Sequence, residues 1–315
     1  MKSIYVRTLY LALVFFSGGV VLSLELTSSR ILAPFFGSSL YIWTAILSTT
    51  LTFLAIGYQI GGWIANKTRN AHNELFLILL PVLSTFFIFL SCLLYPILFS
   101  KILSFGLIFG SFIGSIILLA FPLVFLSALN PILIALFSES SDKGNSISGF
   151  VYSISTVGSV VGVLLTSLII VPNVTNFSFM LINGIFLGLL SIIIYCLTKR
   201  NRSLTINPKI IICGITAVAL CFSLLIWKSS YLNFVSTSIN LRGEHFEILS
   251  EYPSHYGNLK VVGITGKGQK EITRYTLFQN GATHNTITKE GISLSPYIYS
   301  LIRLANINPD AKSAL

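Results

Sequence analysis

Seven long runs of apolar residues constrain this chain more than any other feature of its sequence. A helix needs about 20 consecutive apolar residues to cross the hydrocarbon core of a bilayer. Short connections separate the runs, and these connections contain proline, glycine, asparagine or charged residues. The sequence therefore predicts an all-α polytopic membrane bundle over residues 1–227, of about seven transmembrane helices, in the cell (inner) membrane. The predicted spans are 8–27, 41–66, 74–99, 105–128, 146–171, 176–197 and 209–227.

The charges divide the chain into two parts with different solvents. Only 10% of the residues are charged, against roughly 25% in an ordinary soluble domain. Four of the ten acids lie in the apolar part and the other six follow Lys228. The net charge of +10 comes from short basic clusters between apolar runs, so a lipid bilayer is the expected partner and nucleic acid is not. The four acids of the apolar part are Glu25, Glu74, Glu139 and Asp142.

The basic residues also predict an orientation. The loops at 67–72, 139–145 and 198–209 hold most of the loop lysines and arginines. Because cytoplasmic loops carry the excess of positive charge, these loops are expected inside, with a cytoplasmic amino terminus.

Glycines recur at four-residue spacing inside the apolar runs. On a helix this spacing makes a smooth face, on which two backbones can approach closely. The pattern is typical of tight packing within a bundle, of a moving interface in a transporter, and of an oligomer that forms through Gly-x-x-x-Gly faces. The sets are Gly57/Gly61, Gly106/Gly110/Gly114, Gly158/Gly162 and Gly184/Gly188.

A weak internal sequence repeat suggests an ancient duplication. The sequence GSSLY opens the second run at 37–41, and GNSIS opens the fifth at 144–148. A Gly-x-x-x-Gly pair follows in both runs. The spacing corresponds to three helices per repeat, which is common in transporters.

Residues 228–315 predict a small β-rich module. Short β-rich runs lie at 246–249, 259–264 and 275–279, and Asn280-Gly281 between such runs predicts a tight hairpin turn. Residues 296–305 predict a short amphipathic helix. Residues 313–315 resemble the entry to a further strand, so the module is expected to be incomplete.

Glu25 and Arg30 are the candidates for function within the membrane. A carboxylate at the end of the first run is costly unless it is paired or close to water. One interpretation is an interfacial Glu25–Arg30 ion pair that fixes the end of the helix. The other is a cation or proton site within the bundle.

No complete active site is recognisable in the sequence. The four histidines are scattered, and no acid or cysteine lies at metal-ligand spacing from them. No serine–histidine–acid pattern and no glycine-rich nucleotide loop are present. The sequence therefore predicts neither a metal nor a catalytic residue in this chain.

Two sets of segments resemble one known family. LELTSSRILAPFFGSSLYIW at 24–43 and GYQIGG at 57–62 resemble the transporter-like (MFS-like) membrane part of fused spermidine synthase proteins. EYPSHYG at 251–257, LKVV at 259–262, LFQNG at 277–281 and YIY at 297–299 resemble the N-terminal module of polyamine aminopropyltransferases. In that family a methyltransferase-like domain follows this module.

The resemblance implies a function in polyamine biosynthesis. The family transfers an aminopropyl group from decarboxylated S-adenosylmethionine, its co-substrate, to a polyamine or related amine. Its nucleotide loop and catalytic aspartate would follow Leu315, so the 315 residues alone are expected to be inactive and to hold no cofactor. The family acts in the cytosol, whereas seven spans and a cytoplasmic amino terminus place the module outside. Either the number of spans differs by one or the module is exported.

The resemblance also implies substrate contacts at Tyr256, His284 and Tyr297. Where the family has Asp-Gly-x-x-Gln, this chain has Asn-Gly-Ala-Thr-His at 280–284. A histidine can form hydrogen bonds to a ligand, but it differs from glutamine in its donors and acceptors. The alternative is that these side chains only cap or pack the hairpins. Two other functions stay open: a transporter or binding protein of small cationic solutes with a vestigial soluble cap, and a membrane scaffold.

Overall fold

A computed structural model describes residues 2–37, 40–67, 70–138, 144–201, 209–238, 245–254, 258–266, 271–279 and 282–307. The chain forms two compact units, Met1–Lys228 and Ser229–Leu315.

The first unit is a bundle of helices. Within the described residues, seven segments are long and apolar enough to cross a membrane, with α4 and α5 together forming one of them. The predicted multi-pass helical bundle is therefore confirmed. A 3-10 turn at Leu103–Phe105 precedes α4, and a π-helical turn at Thr166–Ile170 follows α6. The helices are α1 (Lys2–Phe36), α2 (Leu40–Lys67), α3 (Asn70–Ile102), α4 (Leu107–Ser127), α5 (Leu129–Ser138), α6 (Gly144–Leu165), α7 (Asn176–Asn201) and α8 (Lys209–Ile226).

The first helix is longer than the sequence predicts. It continues past residue 27 to Phe36 and includes Pro34, because a membrane helix tolerates proline where neighbouring helices compensate for the lost hydrogen bond. It ends just before Gly37, which adopts a positive φ of 83° that glycine tolerates better than other residues. The Gly37 N–H donates to the carbonyl of Ala33 at 2.9 Å.

The fourth span contains a break, and of its two prolines, Pro122 and Pro131, only Pro131 lies close to it. Pro122 lies inside α4 without ending it. The helix instead ends at Ser127, and α5 begins at Leu129. Pro131 lies in the first turn of α5, where its missing N–H leaves no intrahelical bond unmade.

Glycines bring two pairs of helices into backbone contact. On α6, a Cβ atom at Gly158 would overlap with the carbonyl group of Phe15 on α1, and one at Gly162 would lie 2.5 Å from the carbonyl oxygen of Gly19. On α2, a Cβ atom at Gly57 would lie 2.5 Å from the carbonyl oxygen of Val124. These Gly-x-x-x-Gly faces are therefore occupied within the bundle.

The contacts between helices follow the same pattern in the two halves that the weak internal sequence repeat suggests. The closest neighbours are α1 with α6 and α2 with α4, followed by α3 with α4, α3 with α7, and α1 with α7. In two three-helix repeats, α1 would correspond to α4, α2 to α6, and α3 to α7. Under this correspondence, the α1–α6 contact becomes α4–α2, and the α3–α4 contact becomes α7–α1. The set of neighbours is unchanged, as expected for two three-helix repeats. Helix α8 adds to this arrangement by packing on α3 and α7.

The second unit is a small antiparallel sheet with a helix after it. The strands are β1 (His245–Tyr252), β2 (Leu259–Thr265), β3 (Ile272–Gln279) and β4 (Ala282–Thr288), in the order β1-β2-β3-β4. The amphipathic helix is α10 (Pro296–Ile307). The predicted small sheet is thus confirmed, and the predicted turn at Asn280-Gly281 and strand entry at 313–315 lie outside the described residues.

Two elements of this region differ from the prediction. Residues Lys228–Ser238 form a helix, α9, although serine, threonine and aromatic residues give this segment little intrinsic helix propensity. The sequence also predicted no strand at β4, because its threonines and asparagine give only a weak alternation of apolar and polar residues. Both segments have a local preference that is close to neutral, so the sequence pattern alone did not identify them.

Neighbouring glycines of α2 provide a test of the close helix crossing. A Cβ atom at Gly61 would lie 2.5 Å from the carbonyl oxygen of Ala128 and 2.8 Å from its Cα, whereas nothing lies within 4 Å of one at Gly62. We expect Gly61→Ala to lower the free energy of unfolding by about 1–3 kcal/mol, because a backbone has to move. Gly62→Ala should be neutral or stabilising by up to about 1 kcal/mol. Thermal unfolding of both variants in detergent measures the difference, and equal midpoints would contradict the crossing.

Candidate functional site

Glu25 lies within the interior of the bundle. It is on α1 and only 9% of the residue is exposed. Its carboxyl group lies next to the hydroxyl group of Thr50 on α2, outside the geometry of a regular hydrogen bond. Two consecutive helices therefore position a carboxylate and a hydroxyl group against each other at a depth where water is scarce.

Two hydroxyl groups beside Glu25 have no hydrogen-bond partner within the described part of the chain. Ser28 is fully buried and Thr50 is 3% exposed, and the hydroxyl oxygen of each is unpaired. Serine and threonine in membrane helices usually donate to a carbonyl group one turn earlier. Their neighbours do so: Thr27 donates to the carbonyl of Ser23 at 2.6 Å, and Ser29 donates to that of Leu26 at 2.7 Å.

Arg30 is half-buried on the same helix, but the structure does not bring it to Glu25. Among the described residues the two side chains form no ion pair, and the group next to the Glu25 carboxyl group is the Thr50 hydroxyl group. Five residues along a helix correspond to a rotation of about 140°. The helical geometry thus directs the two side chains to different faces of α1.

A second polar cluster, which sequence reasoning missed, joins α2, α5 and α6. The rings of Tyr58 and Tyr152 meet edge to face with centroids 5.9 Å apart. Asn130 interacts with the Tyr58 hydroxyl group and donates from Nδ2 to the Ser155 hydroxyl oxygen at 3.4 Å. The signal in the sequence was an asparagine and a tyrosine within apolar runs, which mark interior positions in a membrane bundle.

In the second unit, Tyr297 and His284 come together through the backbone. The Tyr297 hydroxyl group donates to the carbonyl oxygen of His284 at 2.6 Å, and the Tyr299 hydroxyl group donates to that of Ser293 at 2.6 Å. These bonds fasten the first turn of α10 to β4 and to the segment before the helix. The His284 residue itself is exposed, and Tyr256 lies outside the described residues.

The segment between β4 and α10 folds back along the strand. The N–H of Leu294 donates to the carbonyl of Thr286 at 2.7 Å, and the Ser293 hydroxyl group donates to Asn285 at 2.7 Å. Together with the bonds from Tyr297 and Tyr299, these contacts form a hydrogen-bonded corner between β4 and α10, in which both tyrosine hydroxyl groups donate to the backbone.

Two charged residues that flank the strands form an ion pair at the surface. Lys289 and Glu271 form a fully exposed ion pair, in which the hydrogen bond from Lys289 holds the pKa of Glu271 below its usual value. The stabilisation from this pair is present above the unfolded-state pKa of Glu271 and is lost as the pH falls through the folded-state pKa. Exposed pairs of this kind contribute little to stability, and the pair forms no pocket for a ligand.

The described residues contain no group of three histidine, cysteine, aspartate or glutamate side chains that could hold a metal ion. Comparison with models of protein families, with curated proteins and with solved structures finds no match to this chain.

The tyrosine anchor of α10 can be tested by removing one hydroxyl group. Tyr297→Phe leaves the carbonyl of His284 without its donor, which should cost about 0.5–1.5 kcal/mol of local stability. We expect the backbone amides of α10 to exchange roughly two to ten times faster in the full chain. Hydrogen exchange followed by mass spectrometry measures this rate. Tyr252→Phe on β1, where the tyrosine is 61% exposed, is the matched control, and equal rates in the two variants would contradict the anchor.

Proposed function

We propose that this chain is the membrane part and first soluble module of a spermidine synthase-like protein. In its full-length form, such a protein would transfer an aminopropyl group from decarboxylated S-adenosylmethionine to a polyamine or related amine. The proposal also places the amino terminus in the cytoplasm and the bundle in the cell (inner) membrane, on the strength of the loop charges.

The arrangement of the second unit is the observation that carries this proposal. The described residues of the segments that resemble the aminopropyltransferase module lie at the end of β1 and just after it, in β2, at the end of β3 and in α10, which are parts of one compact unit. Hydrogen bonds from Tyr297 and Tyr299 connect the last of these segments to β4 and to the loop that follows it. A four-stranded sheet closed by a helix gives a platform on which a following domain can pack.

The reaction would need groups beyond those of this module. The lone pair of a neutral amine forms a bond to the carbon beside the sulfonium, the carbon–sulfur bond breaks, and its electron pair leaves with the sulfur. The amine then loses a proton to a base. Carboxylates that hold the cationic amine and a base within hydrogen-bond reach are the expected machinery, and the described exposed acids of the sheet are not gathered into such a site.

The mass of the protein in its native source tests this proposal. We expect a chain longer than these 315 residues by a domain of about 100–200 residues. The longer protein should convert decarboxylated S-adenosylmethionine and putrescine into methylthioadenosine and a longer amine, and the 315-residue chain should not. A native mass that corresponds to the 315 residues, or a longer protein without this activity, would contradict the proposal.

A second candidate function follows from the buried carboxylate of Glu25. Within the described residues no basic side chain pairs with it, and a buried anion of this kind is typical of a cation pathway through a membrane. The bundle would then bind or transport a small cationic solute, with the second unit as a vestigial cap. The close glycine crossings of α1–α6 and α2–α4 would serve as the interfaces on which helices move.

Uptake by reconstituted vesicles tests the second function. We expect vesicles that contain the protein to accumulate radiolabelled putrescine, and Glu25→Gln to reduce the initial rate by about tenfold or more, because a hydrogen bond to a charged group is lost. Arg30→Gln should retain most of the rate, since Arg30 does not pair with Glu25 in the described structure. Accumulation that the double variant Glu25→Gln, Arg30→Gln leaves unchanged would exclude a role for this carboxylate.

A further inference from the structure

We infer that Glu25, Ser28 and Thr50 form a binding site for a primary ammonium group within the helical bundle. The inference builds on the second function proposed above and names the ligand chemistry of the site.

The three side chains are buried and come from two neighbouring helices. Glu25 and Ser28 are three residues apart on α1 and therefore lie on one face of it. Leu32 continues the same face and packs against the position of Gly114 on α4, so this face is directed into the bundle. Thr50 approaches from α2 and lies next to the Glu25 carboxyl group.

The two unpaired hydroxyl groups indicate that the site is built for a ligand. A buried polar atom without a hydrogen bond is costly, and native structures contain few of them. Ser28 and Thr50 are both more than nine-tenths buried and unpaired within the described residues, although Thr27 and Ser29 satisfy their hydroxyl groups on the backbone of the same helix. A ligand with hydrogen-bond donors would satisfy these oxygens.

The number and type of the polar groups fit an ammonium ion. A primary ammonium group has one positive charge and three N–H donors. The site offers one carboxylate and two hydroxyl oxygens. Each N–H donor of the ligand therefore has one acceptor, and the carboxylate balances the positive charge of the ammonium group. A bare alkali cation would need more oxygen ligands than these side chains supply, and an anion would be repelled by the negative charge of Glu25.

Binding of radiolabelled methylammonium to the full chain in lipid nanodiscs tests the site. We expect saturable binding that Glu25→Gln weakens by about tenfold or more, and that Ser28→Ala and Thr50→Val each weaken by about three- to tenfold. Ser29→Ala and Thr52→Val are the matched controls. Ser29 donates to the carbonyl of Leu26 on the same helix, and Thr52 lies on the exposed face of α2, so neither change should affect the affinity.

Competing ions separate the ammonium site from a general cation site. Unlabelled methylammonium should displace the label, whereas tetramethylammonium, which has the charge but no N–H donor, and sodium should not. Thr50→Ser keeps the hydroxyl group and should restore most of the affinity, which shows that the loss in Thr50→Val is not a loss of folding. Equal competition by tetramethylammonium or sodium, or unchanged affinity in Glu25→Gln, would overturn the inference.

The binding and uptake experiments can reject the ammonium site and the transport function separately. Saturable binding that depends on Glu25, in vesicles that accumulate no amine, would support the site and reject transport. Accumulation of amine that Glu25→Gln leaves unchanged would support transport and overturn the site.

Discussion

The close contact of helix backbones at glycine is the interaction on which the first unit depends. In a bilayer the helices gain nothing from hiding apolar side chains from one another, because the lipid is as apolar as they are. Their association relies on van der Waals contact and on a few interhelical hydrogen bonds. Gly158 and Gly162 bring α6 onto α1, and Gly57 and Gly61 bring α2 onto α4. The same contacts occupy the faces through which the sequence suggested an oligomer.

Buried polar groups lie at several of the contacts between helices. The α1–α6 and α2–α4 pairs are related by the exchange of the two three-helix repeats, so the bundle has two equivalent tight seams. Glu25, Ser28 and Thr50 come from α1 and α2, the first helices of the two seams, and Ser23 bonds to Thr166 across the α1–α6 seam at 2.7 Å. Tyr58, Asn130 and Ser155 form a further polar cluster where α2, α5 and α6 approach. Buried polar side chains also lie at other contacts: Ser91 on α3 donates to the carbonyl of Ile117 on α4 at 2.8 Å, and Thr85 on α3 donates to that of Gly184 on α7 at 3.0 Å.

The second unit is held together by different interactions, because it is built on an antiparallel sheet. Val262 and Ile264 on β2 and Thr276 on β3 are buried, and lateral hydrogen bonds between strands replace the intrahelical bonds of the bundle. Tyr297 and Tyr299 combine an apolar ring with a hydroxyl group that reaches the backbone. Such residues can fasten a helix to a small sheet that has little core of its own. Lys289 and Glu271 form their ion pair at the surface.

The sequence by itself determined the class of both units. Apolar runs of about 20 residues leave the backbone no alternative to helices in lipid, and short β-rich runs with turn residues between them determine a small antiparallel sheet. The sequence also identified Glu25, because a carboxylate in an apolar run is rare enough to be noticed alone. The spacing along α1 places Ser28 on the face of Glu25 and Arg30 on another face. Only the tertiary structure decided the neighbours on other helices. Thr50 and Asn130 are ordinary residues in isolation, and packing between distant residues brings Thr50 to Glu25 and Asn130 to Tyr58.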